Sequence, residues 1–160
     1  MDSRPVERFL VIGIGCRLMR DDGIGPVLAD TLGDELDKEG VRAIAAETDV
    51  AFGLAAIRPT DAVILLDAVL TGGRPGDVFL YVLDDVQMER DAFSLHNVSL
   101  ISVLKEEQRC AYACLIGIEA ACIEPGYGLS PPLADEFGTI AESVMEKIRS
   151  VRERIADEAE

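Results

Sequence analysis

The run "AVILLDAVL", residues 62–70, constrains the fold of this chain more than any other stretch. It is apolar at odd and even positions alike, apart from Asp67. A strand with one wet face alternates; a strand without alternation is covered on both faces. This run therefore predicts a central strand with helices on either side, the mark of an α/β protein. An ionised side chain inside it is costly unless paired or hydrogen-bonded. Asp67 thus has two readings. Backbone N–H groups can hold its carboxylate, or it can point from the strand's carboxyl end into the crevice where open α/β sheets bind ligands.

The remaining elements follow from the same reasoning. Residues 9–14, "FLVIGI", read as a second buried strand ending in glycine. A helix is expected from about Gly25, with Pro26 in its first turn and Leu28, Leu32 and Leu36 as its buried stripe. Gly40 is its natural stop. Residues 41–46 predict a short strand and residues 51–57 a short helix. After the turn "TGGRPG", residues 78–83 return as a strand antiparallel to its predecessor, because the connection is short. Asn97 is placed as the cap of a helix running through Leu104, and residues 111–120 as a further strand. Leu133, Phe137, Ile140, Val144, Ile148 and Val151 trace one face of a single long final helix. The expectation is one domain over residues 1–160, a three-layer α/β/α sandwich with a mixed, mostly parallel five-stranded sheet.

The formal charge of −15 disfavours nucleic acid and anionic membrane as partners. The polar start "MDSRPVER" has no apolar signal segment, and no apolar run reaches the ~20 residues that span a bilayer, so a cytoplasmic location is expected. Cys16, Cys110, Cys114 and Cys122 are then expected as reduced thiols, and with no CxxC pair there is no zinc-ribbon reading.

Chemistry concentrates in "GIGCRLMRDDGIG", residues 13–25. Its opening GxG resembles a dinucleotide loop, but Leu18 stands where a third glycine is wanted, and no Lys-Ser/Thr pair follows. Asp21 and Asp22 would repel a phosphate there. Their ordinary reading is capping, with one carboxylate on helix N–H groups and the other in solvent. A pair of acids beside a glycine turn also suits a cation. His96 is the chain's one histidine. Most lone histidines are loop or core residues, but one beside a helix start is held neutral, which is the metal-binding form. Two carboxylates and one imidazole make a mixed O/N site for a divalent transition metal, with positions left open. Cys16 reads as a small loop-filling residue ahead of a soft ligand, and Cys114 as core.

"FLVIGIGCRLMRDDGIGPVLADTL", "VILLDAVLTGGRPGDV" and "SLHNVSL", with the later "IGIEA" and "LSPPLADEF", together resemble the maturation endopeptidases of [NiFe]-hydrogenases. The likeness runs from about Phe9 to Ile148, and three separated motifs keep their order. It implies a protease that trims the C-terminal extension of a hydrogenase large-subunit precursor after nickel insertion. It implies that Asp22, Asp67 and His96 contact the nickel and act in catalysis, and that the nickel belongs to the substrate, with no permanent cofactor. The chain departs from the family at Cys16, where Asn is usual; a thiol cannot reproduce an amide's donors and acceptor. "LHN" with "NVSL" looks like the maturases of formate-hydrogenlyase-type or F420-reducing hydrogenases. There is no Ser–His–Asp set and no HExxH motif, so metal-assisted hydrolysis is expected, with Asp22 or Asp67 as general base. Two other readings carry the same residues: a nickel-checkpoint protein that binds the loaded subunit without cutting, and a nucleotide-binding α/β domain using "GIGCRL".

Overall fold

A computed structural model describes the backbone of residues 4–83 and 95–160 and the side chains of residues 4–83 and 99–160. Its centre is β3 (Asp61–Val69), in which every residue is buried. β3 lies between β1 (Arg8–Ile14) and β5 (Tyr112–Glu119), parallel to both. β2 (Val41–Glu47) pairs parallel with β1 on one side. β4 (Val78–Val82) pairs antiparallel with β5 on the other, giving the order β2-β1-β3-β5-β4.

The pleat sorts these strands into two cores. Val11, Ile64, Leu66, Cys114 and Ile116 face one side and pack with Leu28, Leu32 and Leu36 of α1 (Ile24–Lys38) and Ile140, Val144 and Ile148 of α5 (Phe137–Glu158). Leu10, Ile12, Val63, Leu65 and Leu115 face the other and meet Leu54 of α2 (Val50–Ala56) and Leu100, Ile101 and Leu104 of α3 (Leu95–Glu107). Both faces of β3 are dry because helices cover both, as its unbroken apolar run requires. The three-layer α/β/α architecture is the one expected.

Three local readings need correction. The final helical stretch is two helices. α4 (Pro131–Asp135) stops at Glu136, whose φ of −100° and ψ of 12° cap it before α5 begins. Leu133 belongs to α4, yet it packs into the same core as the α5 stripe, so the spacing carries across the break. β4 runs antiparallel to β3, but its hydrogen-bonded neighbour is β5, which is inserted between the two. α3 starts at Leu95, which puts Asn97 inside the helix rather than at its cap.

The sheet also determines how two of its groups titrate. Burial pushes the Cys114 thiol from 9.0 up to about 12. Burial likewise pushes the neighbouring Tyr112 phenol from 10.0 up to about 12. Above pH 9 an unfolded chain releases these protons while the folded chain keeps them, so stability is intact below pH 9 and falls as pH rises toward 12. Urea unfolding should therefore show a lower midpoint at about pH 10.5 than at about pH 8, with the gap narrowed in Cys114→Ala. A midpoint that does not move would contradict the burial of both groups.

Candidate active site

The site lies where β1 and β3 end. Gly15 follows β1 with a φ of +130°, a conformation that L side chains rarely adopt. A Cβ built there would stand 1.9 Å from the carbonyl oxygen of Asp22 and 3.3 Å from Oδ1 of Asp67. Only a residue without a side chain fits between these two. The glycine therefore brings the acid-bearing turn and the end of β3 against one backbone position. A second close approach sits ten residues on, in the first turn of α1. A Cβ at Gly25 would lie 2.2 Å from the carbonyl oxygen of Leu66, so α1 packs directly on the strand that carries Asp67.

Between Gly15 and α1 the chain makes a short 3-10 turn, Arg20–Gly23. Asp21 and Asp22 are both in it, and both are buried. Neither caps α1: its N-cap is Gly23, with no side-chain bond. The expectation that one acid caps the helix while the other faces solvent is thus wrong for both. Asp22 turns back toward the glycine loop, where its Oδ2 accepts the Cys16 N–H at 2.8 Å. Asp21 turns the opposite way, into the loop between β5 and α4. It accepts from the N–H groups of Ala121 and Cys122 at 2.9 Å each, and from the N–H and hydroxyl of Ser130 at 2.7 Å each. Adjacent acids thus do separate work. One braces a distant loop, and the other is held by a single backbone donor in the glycine turn.

Asp67 is fully buried, and its Oδ1 accepts the N–H of Ala68 at 2.7 Å. The backbone-held reading is therefore correct, and so is the placement near the strand's carboxyl end; the two were not alternatives. Asp67 continues the pleat face of Val63 and Leu65, the face covered by α2 and α3. Four residues, 108–111, join α3 to the start of β5, so α3 runs back along the sheet. Its 13 residues span about 20 Å at 1.5 Å per residue, which carries its first turn toward the carboxyl ends of the strands. His96 lies in that first turn, and its side chain is outside the described residues. Among the described residues no three His, Cys, Asp or Glu side chains form a metal-holding group.

The sequence alone gave no role to Glu119. It is buried at the end of β5, and its carboxylate accepts from the N–H and hydroxyl of Thr71 at 3.0 Å and from the Gly73 N–H at 2.6 Å. It fixes the turn that leaves β3 just beyond Asp67. The available signal was a lone acid closing an apolar strand, the same signal that marked Asp67. All four cysteines are free. Cys16 is half-buried and serves the site through its backbone N–H, not its sulfur.

These contacts rank three substitutions by stability. Gly15→Ala forces a methyl against a carbonyl and should cost about 3 kcal/mol. Asp21→Ala strands three N–H groups and a hydroxyl and should cost at least about 3 kcal/mol. Cys16→Ser keeps the backbone donor and should stay within about 1 kcal/mol of the parent. Chemical denaturation measures all three; a Cys16→Ser loss as large as that of Gly15→Ala would contradict the assignment.

The family model described as hydrogenase maturation protease matches residues 27–147. The hydrogenase expression/formation protein HupD of Rhodobacter capsulatus is 30% identical over 155 residues, covering 91% of this chain and 74% of that protein. The [NiFe] hydrogenase maturation protease HybD from Thermococcus kodakarensis superposes with a TM-score of 0.69 at 26% identity, over 89% of this chain and 99% of that one. The hydrogenase maturating endopeptidase HybD from Escherichia coli gives a TM-score of 0.70 at 22% identity, over 91% and 94%, a likeness that speaks to the fold alone. This chain belongs to the [NiFe]-hydrogenase maturation protease family.

Proposed function

We propose that this chain removes the C-terminal extension of a [NiFe]-hydrogenase large-subunit precursor once nickel is in place, and that it reads the nickel through Asp22, Asp67 and His96. The observation that carries this reading is the shared contact of Asp22 and Asp67 with Gly15, at the carboxyl end of the central strand. The course of α3, which brings His96 toward the same end of the sheet, supports it. Carboxylate oxygens and an imidazole nitrogen suit a borderline divalent ion such as nickel. Three such groups make an incomplete set for tight resident binding, so the metal is treated as part of the substrate, held by the precursor's own ligands.

The chain's own groups then have distinct tasks. Gly15 lets the Asp22 carbonyl and the Asp67 carboxylate close on one backbone position. The Cys16 N–H fixes one oxygen of Asp22, leaving Oδ1 for the metal or for a proton from water. The Ala68 N–H orients the Asp67 carboxylate through its Oδ1. The metal arriving with the substrate orients the scissile peptide and polarises its carbonyl. A carboxylate held but not neutralised can accept the proton of the attacking water, which gives Asp22 or Asp67 the general-base role. Among the described residues no helix is long and apolar enough to cross a membrane. Nucleotide binding by "GIGCRL" is disfavoured, because the loop's N–H of Cys16 is spent on Asp22 rather than turned toward a phosphate.

Purified chain mixed with apo and nickel-loaded precursor in matched buffer should cut the loaded form only, seen as a C-terminal mass loss. His96→Ala should fail on the loaded form, while Cys16→Ser should retain most activity. Acidification that protonates His96 should weaken cleavage, since imidazolium cannot ligate a metal. Equal cleavage of apo and loaded precursor would point to sequence-directed proteolysis and overturn the nickel-reading role.

A further inference from the structure

The turn that carries Asp22 and the loop between β5 and α4 form one braced body. Gly126 donates its N–H to the Leu18 carbonyl at 2.9 Å, and Arg20 donates its N–H to the Gly126 carbonyl at 3.1 Å. Asp21 donates its N–H to the Cys122 carbonyl at 3.1 Å, while its carboxylate takes four donors from Ala121, Cys122 and Ser130. The Arg20 guanidinium also donates to the Tyr127 carbonyl at 2.9 Å. Neither segment can shift without the other.

This body is unusual in what it shows to solvent. Among the described residues five large apolar side chains are exposed, and three of them sit on it: Tyr127 at 78%, Leu18 at 64% and Ile123 at 36%. Residues 120–133 carry a single charged side chain, Glu124, in a chain that is 28% charged with a net charge of −15. Exposed Leu, Ile and Tyr on one braced body, flanked by Arg17 and Arg20, have the composition of an interface: large apolar side chains with arginine. It is also continuous with the site, because Asp21 anchors the face and Asp22 is the next residue.

We infer that Leu18, Ile123 and Tyr127 form the docking surface for the precursor, contacting an apolar protein surface beside its metal site. The inference rests on the function proposed above. Docking there fixes the distance between the arriving metal and Asp22, because the brace joins both to one rigid piece of backbone. The three exposed apolar side chains supply burial and shape, with Arg17 and Arg20 at their edge.

The test uses Leu18→Ser, Tyr127→Ser and the double variant in the full chain, with nickel-loaded precursor as the probe. All three sites are exposed, so thermal unfolding should match the parent. Biolayer interferometry should show Kd raised by about tenfold or more in the double variant, and steady-state cleavage should show the loss in KM rather than kcat. Unchanged Kd and KM would overturn the docking surface, while cleavage by the parent would leave the proposed function standing. Parent binding that the double variant loses, with no cleavage by the parent, would uphold the surface and overturn the proteolysis. Self-association of the parent in light scattering, abolished in the double variant, would assign the face to a second copy and overturn the proposal.

Discussion

The candidate site is assembled around a backbone position that has no room for a side chain. At Gly15 the carbonyl of Asp22 comes within 1.9 Å of where a Cβ would be, and the carboxylate of Asp67 within 3.3 Å. Three consequences follow from that contact. β1 can end beside β3 instead of overshooting it. The 3-10 turn can fold back over the strand ends before α1 begins. Two acids separated by 45 positions in sequence can then share one neighbourhood, which a chain of this charge would otherwise resist. Helices cover both faces of β3, and the glycine lets the acid-bearing turn close on its end.

Around this point the buried carboxylates divide into braces and candidate ligands, and hydrogen-bond accounting tells them apart. Asp21 and Glu119 each take several donors from segments distant in sequence, and so act as ties between loops. Asp61, at the opposite end of β3, pairs with the Arg8 guanidinium at 2.7 Å and also accepts the Arg58 N–H. Asp22 accepts the N–H of Cys16, and Asp67 accepts the N–H of Ala68, each donor close to it in sequence. A carboxylate with saturated oxygens stabilises the fold. One that is oriented but keeps an oxygen available can bind or accept a proton.

Much of the fold was legible because the signals were long and periodic. The unbroken run of β3 gave the layered architecture, and the Leu28–Leu32–Leu36 stripe placed α1 against the sheet. The break at Glu136 was invisible because Leu133 and Phe137 keep helical spacing across it and both face the same core. The neighbour of β4 was equally hidden, since strand insertion by β5 is a long-range event that no local pattern records. At the site, residue types and the glycine turn marked the Asp21–Asp22 pair and Asp67, and only the family resemblance singled out Asp22. The opposite orientations of Asp21 and Asp22 depend on a loop a hundred residues away, which spacing cannot report. The docking face is likewise a product of that bracing, because "ACIEPGYGLS" reads by itself only as a loop.

The central claim is that the two acids contact nickel carried by the precursor. Nickel K-edge X-ray absorption on the loaded precursor, alone and in complex with the His96→Ala chain to hold back cleavage, tests it directly. The account predicts oxygen scatterers added to the metal's shell in the complex, with fewer of them when Asp67→Ala is introduced as well. A nickel spectrum identical in free precursor and in both complexes would contradict it, and would reduce Asp22 and Asp67 to structural acids at the end of a buried strand.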